Sequence, residues 1–544
     1  MNTALAPTAT APAPDPAPAP AAPTDTAAGR TETAGTAETA RRTDGDLRAF
    51  LDTYRRLSRA YHDGTLTDAE LARWRAERLT AVLRHVTERS PFYRRHLAGA
   101  DIERVTPRTL SALPFTTKDD LRREMYDVLS GGIAEASIYY ETNGTTGTAT
   151  PCPRGAKDIA TSNAAVEESW RHLFRARFGD RMPVIGLMGP SELYAFGDVF
   201  TAVAASLGAC HVKIWPESPR VGFRKALRLI EELGVEVVVC APALCLSLAK
   251  AAQHYGYDLS RLPVKLFLVL GEICTPQFAA NVSSVWPDAV VRPALYGSQE
   301  ALCIATGADT GALHLSGPNY IAELIDPDTG AALGELGEGE LVLTMLIDGI
   351  KPLIRYRTGD LVRLTPAPPG SALPGPVVEV VGRAADRIAL GDTLLRPAEL
   401  ESAVLERVRG CFGYQVVIDR APDGGDTVTV YLDLTATTSR TDTSRTDTAS
   451  GRTDTSRTDT TSRTDTASDR TASDRTARAV AAALRKRIGP HVGITVETGT
   501  DIDPVTHTGS FVSWKAARVL DRRSAPDTAA RTAQQVAHRY AITT

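Results

Sequence analysis

Apolar residues change their spacing several times along the chain, and each change marks a different kind of element. After Thr67-Asp-Ala-Glu70, Leu71, Trp74, Leu79, Val82, Leu83 and Val86 recur at mostly helical spacing, which predicts a helix opening on a capping box and stopping before Ser90-Pro91. A second helix with hydroxyl caps is predicted after Thr116-Thr117-Lys118-Asp-Asp-Leu121. Between Phe223 and Leu295 amphipathic and β-branched runs alternate. A helix through Ala226, Leu229, Ile230 and Leu233 precedes a strand at 235–239; a helix after Pro242 precedes a strand at 264–270, and a helix from Pro276 precedes a strand at 289–295. This rhythm predicts a parallel sheet covered on both faces.

From Gly311 to Leu364 the pattern turns to hairpins: a run at 321–325, the turn Asp326-Pro-Asp-Thr-Gly330, a run at 339–344, then Leu353-Ile-Arg-Tyr-Arg-Thr-Gly-Asp360. A smaller α+β segment runs from Ile388 to about Arg523. Two stretches have too few large apolar groups to offset chain entropy and are expected to be disordered: the Ala/Pro/Thr-rich residues 1–44, and residues 438–478, where Ser-Arg-Thr-Asp-Thr recurs. The expected fold class is therefore α/β, a large N-terminal domain of layered sheets with flanking helices plus a small α+β C-terminal domain. The boundaries are 45–382 and 383–524, with the insertion 438–478 in the second and a tail at 525–544.

Composition narrows the function. The 544 residues are 43% hydrophobic and 23% charged, the balance of a globular protein with ample core. A net charge of −4, without a basic stripe interleaved with aromatics, argues against a nucleic-acid partner. Seven cysteines spread from Cys152 to Cys411 do not form a disulfide framework. No apolar run is long enough to span a membrane and the first residues lack a secretory pattern, so a cytoplasmic location is expected.

The chemistry gathers around Tyr140-Glu-Thr-Asn-Gly-Thr-Thr-Gly-Thr-Ala-Thr150. Gly144 and Gly147 allow backbone N–H groups to turn inward, and Thr142, Thr145, Thr146 and Thr148 add hydroxyls, a set suited to polyphosphate. The nucleoside-triphosphate P-loop is excluded because no lysine follows the second glycine, and an ordinary Gly/Thr turn is the alternative. Ligands of parallel sheets lie beyond the carboxyl ends of the strands, where Gly271-Glu272 and Tyr296-Gly297-Ser-Gln-Glu300 stand.

Taken in order, the Gly/Thr loop, Tyr296 to Glu300, Arg355-Tyr-Arg-Thr-Gly-Asp360, Gly382-Arg383 and Trp514-Lys515-Ala-Ala-Arg518 resemble the motifs of the adenylate-forming superfamily. Leu83-Arg-His-Val, Ser90-Pro-Phe-Tyr-Arg-Arg95, Pro114-Phe-Thr-Thr-Lys-Asp-Asp-Leu121 and Lys351-Pro-Leu-Ile-Arg355 are similar to signatures of its phenylacetate-CoA ligase branch. The resemblance covers about residues 71–523 without the repeat. It implies ATP, Mg²⁺ and coenzyme A as cofactors, a carboxylic acid as substrate, and a mobile C-terminal domain.

Its implied site has Lys515 for the charge developing in acyl transfer, and Glu300 with Thr145 for Mg²⁺. Tyr296 and Gly297 serve adenine, Asp360 the ribose hydroxyls, and Arg383 ribose or phosphate, with Gly271 and Glu272 bordering the nucleotide. Core packing is the alternative for Tyr296, and a surface ion pair for Arg383. Tyr194, Phe196, Gly197, Asp198, Ala241 and Cys245 are expected to line the acyl pocket, an aromatic and small-residue set suited to an aromatic acid. The chain departs from the family pattern at Thr148, where a lysine is usual, at Ala385, where an acid is usual in the hinge, and at Trp514. Cys240, Cys245, Cys303 and His314 form a zinc-like ligand set, with inert buried thiols as the alternative. Transfer to an amine, hydroxyl or carrier-protein thiol, and a non-catalytic nucleotide-binding regulator, are the rival functions.

Overall fold

The computed structural model describes residues 29–142, 149–384, 386–434, 467–499 and 518–523, with side chains from residue 45 and, in the last helix, from residue 471. Residues 53–544 make one unit, which holds the described strands and the described candidate site residues. Two expectations of disorder are corrected. Helix α1 (Gly29–His62) begins inside the tail expected at 1–44, and α11 (Ala467–Ile488) begins inside the insertion expected at 438–478. In α11 the cause is visible, since Val480, Leu484 and Ile488 follow the polar repeat at helical spacing and bury one stripe.

Helix α2 (Asp68–Arg89) opens on the capping box of Thr67 and Glu70 and buries Trp74, Leu79, Val82, Leu83 and Val86. Helix α3 (Pro91–His96) follows at once with Ser90 as its cap. Helix α4 (Lys118–Glu124) has a second capping box, in which Thr117 Oγ1 accepts from Asp120 N and Asp120 accepts from Thr117 N. The hairpin of β1 (Ile138–Glu141) and β2 (Pro151–Arg154) then leads into the long helix α5 (Ala156–Phe178).

Strands β3 (Val184–Met188), β4 (His211–Lys213), β5 (Val235–Cys240), β6 (Leu266–Val269) and β7 (Val290–Pro293) form an all-parallel sheet in the order β4-β3-β5-β6-β7. Helices α6 (Gly197–Ser206), α7 (Gly222–Leu233), α8 (Pro242–His254) and α9 (Pro276–Val285) connect them. Burial on both faces explains the near-continuous apolar run of β5.

An eight-stranded antiparallel sheet comes next: β8 (Leu295–Ser298), β9 (Leu302–Gly307), β10 (Leu313–Leu315), β11 (Tyr320–Ile325), β12 (Ala332–Gly334), β13 (Gly337–Met345), β14 (Tyr356–Thr365) and β15 (Val377–Arg383). Its order is β12-β11-β13-β14-β15-β10-β9-β8. The apolar run expected as one strand to Leu295 therefore splits, β7 closing the parallel sheet and β8 opening the next.

The C-terminal module holds the hairpin β16 (Ile388–Leu390) and β17 (Thr393–Leu395), α10 (Pro397–Leu405), β18 (Cys411–Arg420), β19 (Asp426–Leu434), α11, β20 (Gly493–Gly499) and β21 (Val519–Asp521). Its sheet order is β20-β19-β18-β21. Side chains of α8 and α9 share one apolar cluster with α10, β18, β19 and α11. Around that cluster Asn281 Nδ2 donates to Cys411 O at 2.8 Å and Asn281 Oδ1 accepts from Cys411 N at 3.0 Å, while Lys250 pairs with Asp433 at 2.8 Å.

Candidate active site

Thr142 and Thr150 close the base of the Gly/Thr loop: Thr142 N donates to Thr150 O at 3.1 Å, and Thr142 Oγ1 accepts from Thr150 N at 2.9 Å. Gly144, Thr145, Thr146, Gly147 and Thr148 lie outside the described residues, as do Ala385, Trp514 and Lys515.

Tyr296 and Asp360 are brought together. The Tyr296 hydroxyl donates to Asp360 Oδ2 at 2.7 Å, although β8 and β14 stand four strands apart in the sheet. On a flat sheet four strand spacings would be about 19 Å, so the sheet curls until its β8 edge faces β14. Gly297 marks the local bend: the register shifts between Tyr296 and Gly297, and a Cβ there would lie 2.1 Å from Leu302 O. Burial, then the facing Asp360, pushes the Tyr296 phenol up and keeps it a donor. Burial also raises the Asp360 carboxyl, against the opposing pull of Tyr296 and Arg383. Asp360 and Arg383 are cross-strand partners on β14 and β15, with Arg383 Nε 3.4 Å from Asp360 Oδ1 and its side chain exposed.

Glu300 lies in the turn between β8 and β9 with only 5% of its side chain exposed, and its Oε1 pairs with Lys118 Nζ at 2.8 Å. Burial works to raise its carboxyl, but Lys118 overrides this and leaves it below its ordinary value. In the sequence Lys118 is one residue of a signature without a role of its own; the segment before it sets its position. Thr116 N donates to Arg355 O at 3.0 Å and Arg357 N to Thr116 O at 2.9 Å, a short parallel bridge that lays residues 114–117 beside β14. Arg355, held by Glu323 at 3.0 Å, lies 4.1 Å over the Phe115 ring and fixes that segment. Helix α4 therefore starts with Lys118 at Glu300.

Two buried cations stand behind this carboxylate. Arg154 Nη2 donates to Gln299 O at 2.7 Å and to Glu300 O, and its Nη1 to Lys351 O at 3.3 Å. Lys351 Nζ donates to Pro151 O and lies 3.5 Å from Cys152 Sγ.

The other expected residues fall elsewhere. Gly271 has a left-handed φ of +86° after β6. Glu272 faces Arg518 at 3.7 Å, and Arg518 also pairs with Glu401 at 2.7 Å. Glu401 in turn accepts from Thr275 Oγ1 at 2.7 Å, so the segment after β6 and the C-terminal module share one ion-pair network.

Four of the residues expected to line the acyl pocket are buried. Phe196 is buried against Phe200, with ring centroids 5.1 Å apart, and Gly197 is buried against Ser191. Ala241 and Cys245 are buried at the start of α8. Small and aromatic residues at these helix starts face the sheet and fill core. Tyr194 is half-buried and Asp198 exposed.

The zinc set is corrected. Cys240 and Cys245 lie 3.7 Å apart, but the Cys303 thiol faces Ala305 O in a different apolar cluster and His314 Nδ1 faces Gly375 O at 3.3 Å. Among the described residues no three His, Cys, Asp or Glu side chains gather as a metal would require.

Both the sequence and the fold have known relatives. The family of AMP-binding enzymes matches residues 129–345. The match runs from just before the β1–β2 hairpin to the end of β13. In sequence the chain is similar to phenylacetate-coenzyme A ligases. It is 28% identical to phenylacetate-coenzyme A ligase of Aromatoleum evansii over 386 residues, 67% of this chain and 82% of the relative. It is likewise 28% identical to that of Pseudomonas putida over 390 residues, with the same shares covered. A solved 2-hydroxyisobutyryl-CoA ligase with 2-HIB-AMP is similar in fold, with a TM-score of 0.67 at 17% identity over 86% of this chain and 93% of that one.

Proposed function

We propose that this protein activates a carboxylic acid with ATP as an acyl-adenylate and pyrophosphate, then transfers the acyl group to coenzyme A. The observation that carries the reading is the gathering of Tyr296, Asp360, Arg383 and Glu300 from three segments, with strand β2 after the Gly/Thr loop tied to the Glu300 turn through Arg154. A carboxylate has no leaving group until one of its oxygens is bonded to phosphorus, and ATP supplies that phosphorus.

Asp360 is the acceptor for the ribose hydroxyl pair, Tyr296 the flat wall for adenine, and Arg383 the exposed fork for ribose or phosphate oxygens. Glu300 fits Mg²⁺, which takes one or two carboxylates together with substrate phosphates. Its buried oxygen is a hard donor, and Lys118 holds the charge in place until the nucleotide arrives. Lys515 is the mobile cation for adenylation. The acid is aromatic, for which the half-buried Tyr194 is the remaining support. Cytoplasmic location belongs to the same reading; among the described residues no helix is long and apolar enough to cross a membrane.

The test is ATP-dependent pyrophosphate release over a panel of aromatic and aliphatic acids, with and without coenzyme A. Release with aromatic acids and thioester formation with coenzyme A are expected. Release with aliphatic acids alone overturns the aromatic assignment. ATP binding without release under any acid favours a regulator.

A further inference from the structure

Arg154 and Lys351 are the costliest polar side chains in this region. Arg154 is 0% exposed and Lys351 1%, and neither forms an ion pair among the described residues. Burying a charge without a directly paired counter-ion is unfavourable, so the cations are held chiefly by backbone carbonyls, with the Cys152 thiol beside Lys351.

Those carbonyls belong to three separate segments. Arg154 on β2 grips Gln299 and Glu300 in the turn after β8 and Lys351 ahead of β14. Lys351 reaches back to Pro151, the first residue of β2 after the Gly/Thr loop. The contacts tie β2 and residue 351 to each other in both directions, and tie the Glu300 turn to β2. The Arg154 fork serves two of these segments at once, which a single ammonium cannot do. Its Nε has no hydrogen-bond partner among the described residues, so this site is shaped for the two terminal nitrogens. A core residue chosen for packing alone would be apolar here.

We propose that Arg154 and Lys351 are positioning residues for the nucleotide, locking the Pro151 end of the hairpin and the Gln299–Glu300 turn into one register. The proposal rests on the ATP-dependent reading above and adds to it. This chain has Thr148 where a loop lysine would hold phosphate directly, so its phosphate affinity depends more heavily on the preset geometry of the backbone around it. Burial lowers the ammonium pKa of Lys351, in keeping with an interior strut and not a solvent-facing charge.

The experiment compares wild type with Arg154→Met and Arg154→Lys. It measures pyrophosphate release with ATP varied, then with acid varied, alongside melting temperature and direct ATP binding by calorimetry. Arg154→Met is expected to raise the KM for ATP about tenfold, about 1.4 kcal/mol, with the KM for acid within about twofold. Arg154→Lys is expected to stay nearly as impaired, because it keeps the charge and loses the fork.

An unchanged KM for ATP in a folded Arg154→Met protein overturns the proposal. So does Arg154→Lys at wild-type affinity, which would make charge and not register the cause, and so does a parallel loss in both KM values with a lowered melting temperature, the mark of a core filler. If Arg154→Met does not fold, Lys351→Met, which cuts the Pro151 tether and the contact with Cys152 but leaves the Arg154 fork, is expected to give the same selective change and is judged by the same criteria. If wild type releases no pyrophosphate with any acid, the function reading fails by itself, and ATP binding by the variants still decides the positioning role.

Discussion

Lys118→Met removes the only cation within ion-pair distance of Glu300 among the described residues, while keeping most of the side-chain volume. Two unit charges 2.8 Å apart attract by about 6 kcal/mol at an effective dielectric of 20. The Lys118 side chain is 33% exposed, so solvent screens part of this, and Lys351 also acts on Glu300. A net loss of about 2–3 kcal/mol at neutral pH remains, near the lower end for breaking a pair around a buried carboxylate. The pH dependence has a defined sign. With Lys118 present the Glu300 carboxyl lies below its ordinary value in the folded protein, so the pair contributes stability above the unfolded pKa and loses it as pH falls through the lowered folded pKa. Without Lys118, burial raises the carboxyl and the variant loses stability from a higher pH downward. Urea unfolding followed by tryptophan fluorescence should therefore show the widest gap between the two proteins at pH 7 and a narrowing gap in acid. A gap that stays constant with pH, or none at all, would refute the pairing as the source of the stability.

Lys515→Ala should cut adenylation by on the order of 10² to 10³ while nearly sparing thioester formation from supplied acyl-adenylate, and equal losses in the two half-reactions would remove its assigned role. Thr148→Lys should tighten ATP binding at most about tenfold, about 1.4 kcal/mol, by restoring a phosphate-directed charge; titration calorimetry reads it, and unchanged affinity would mean that the loop meets phosphate differently. Replacing residues 438–466 with a short Gly/Ser join should leave melting temperature and turnover nearly unchanged, because the removed sequence carries almost no large apolar group; keeping residues 467–478 matters, since they belong to α11.

The helix caps at Thr67 and Thr117 and the alternating strands and helices from Phe223 onward were legible because each is written in neighbouring residues. The site was legible only in part. Tyr296 and Asp360 stand out as motifs, but their hydrogen bond depends on how far an eight-stranded sheet curls, which no local period encodes. Lys118, Arg154 and Lys351 escaped for the same reason: their partners lie 182, 146 and 200 residues away, and a lysine or arginine that looks like surface becomes interior only after the chain has folded back. Phe196, Ala241 and Cys245 are buried, and the sequence could not separate lining from core because both use the same residues at strand ends. The starts of α1 and α11 were missed because composition averaged over a polar stretch hides a helix anchored by an apolar stripe at one end.

The apolar cluster common to α8, α9 and the C-terminal module has a thermal consequence. A small domain hinged on a polar seam can turn with little change in hydration, whereas here any swing of residues 388–523 away from the parallel sheet wets valine, leucine and phenylalanine side chains now packed together. Wetting apolar surface raises heat capacity by about 0.45 cal/K/mol for each Å². The rate of such a swing accordingly bends away from a straight Arrhenius line, and its curvature measures the area uncovered at the barrier. Temperature would thus report on any such swing independently of the chemistry.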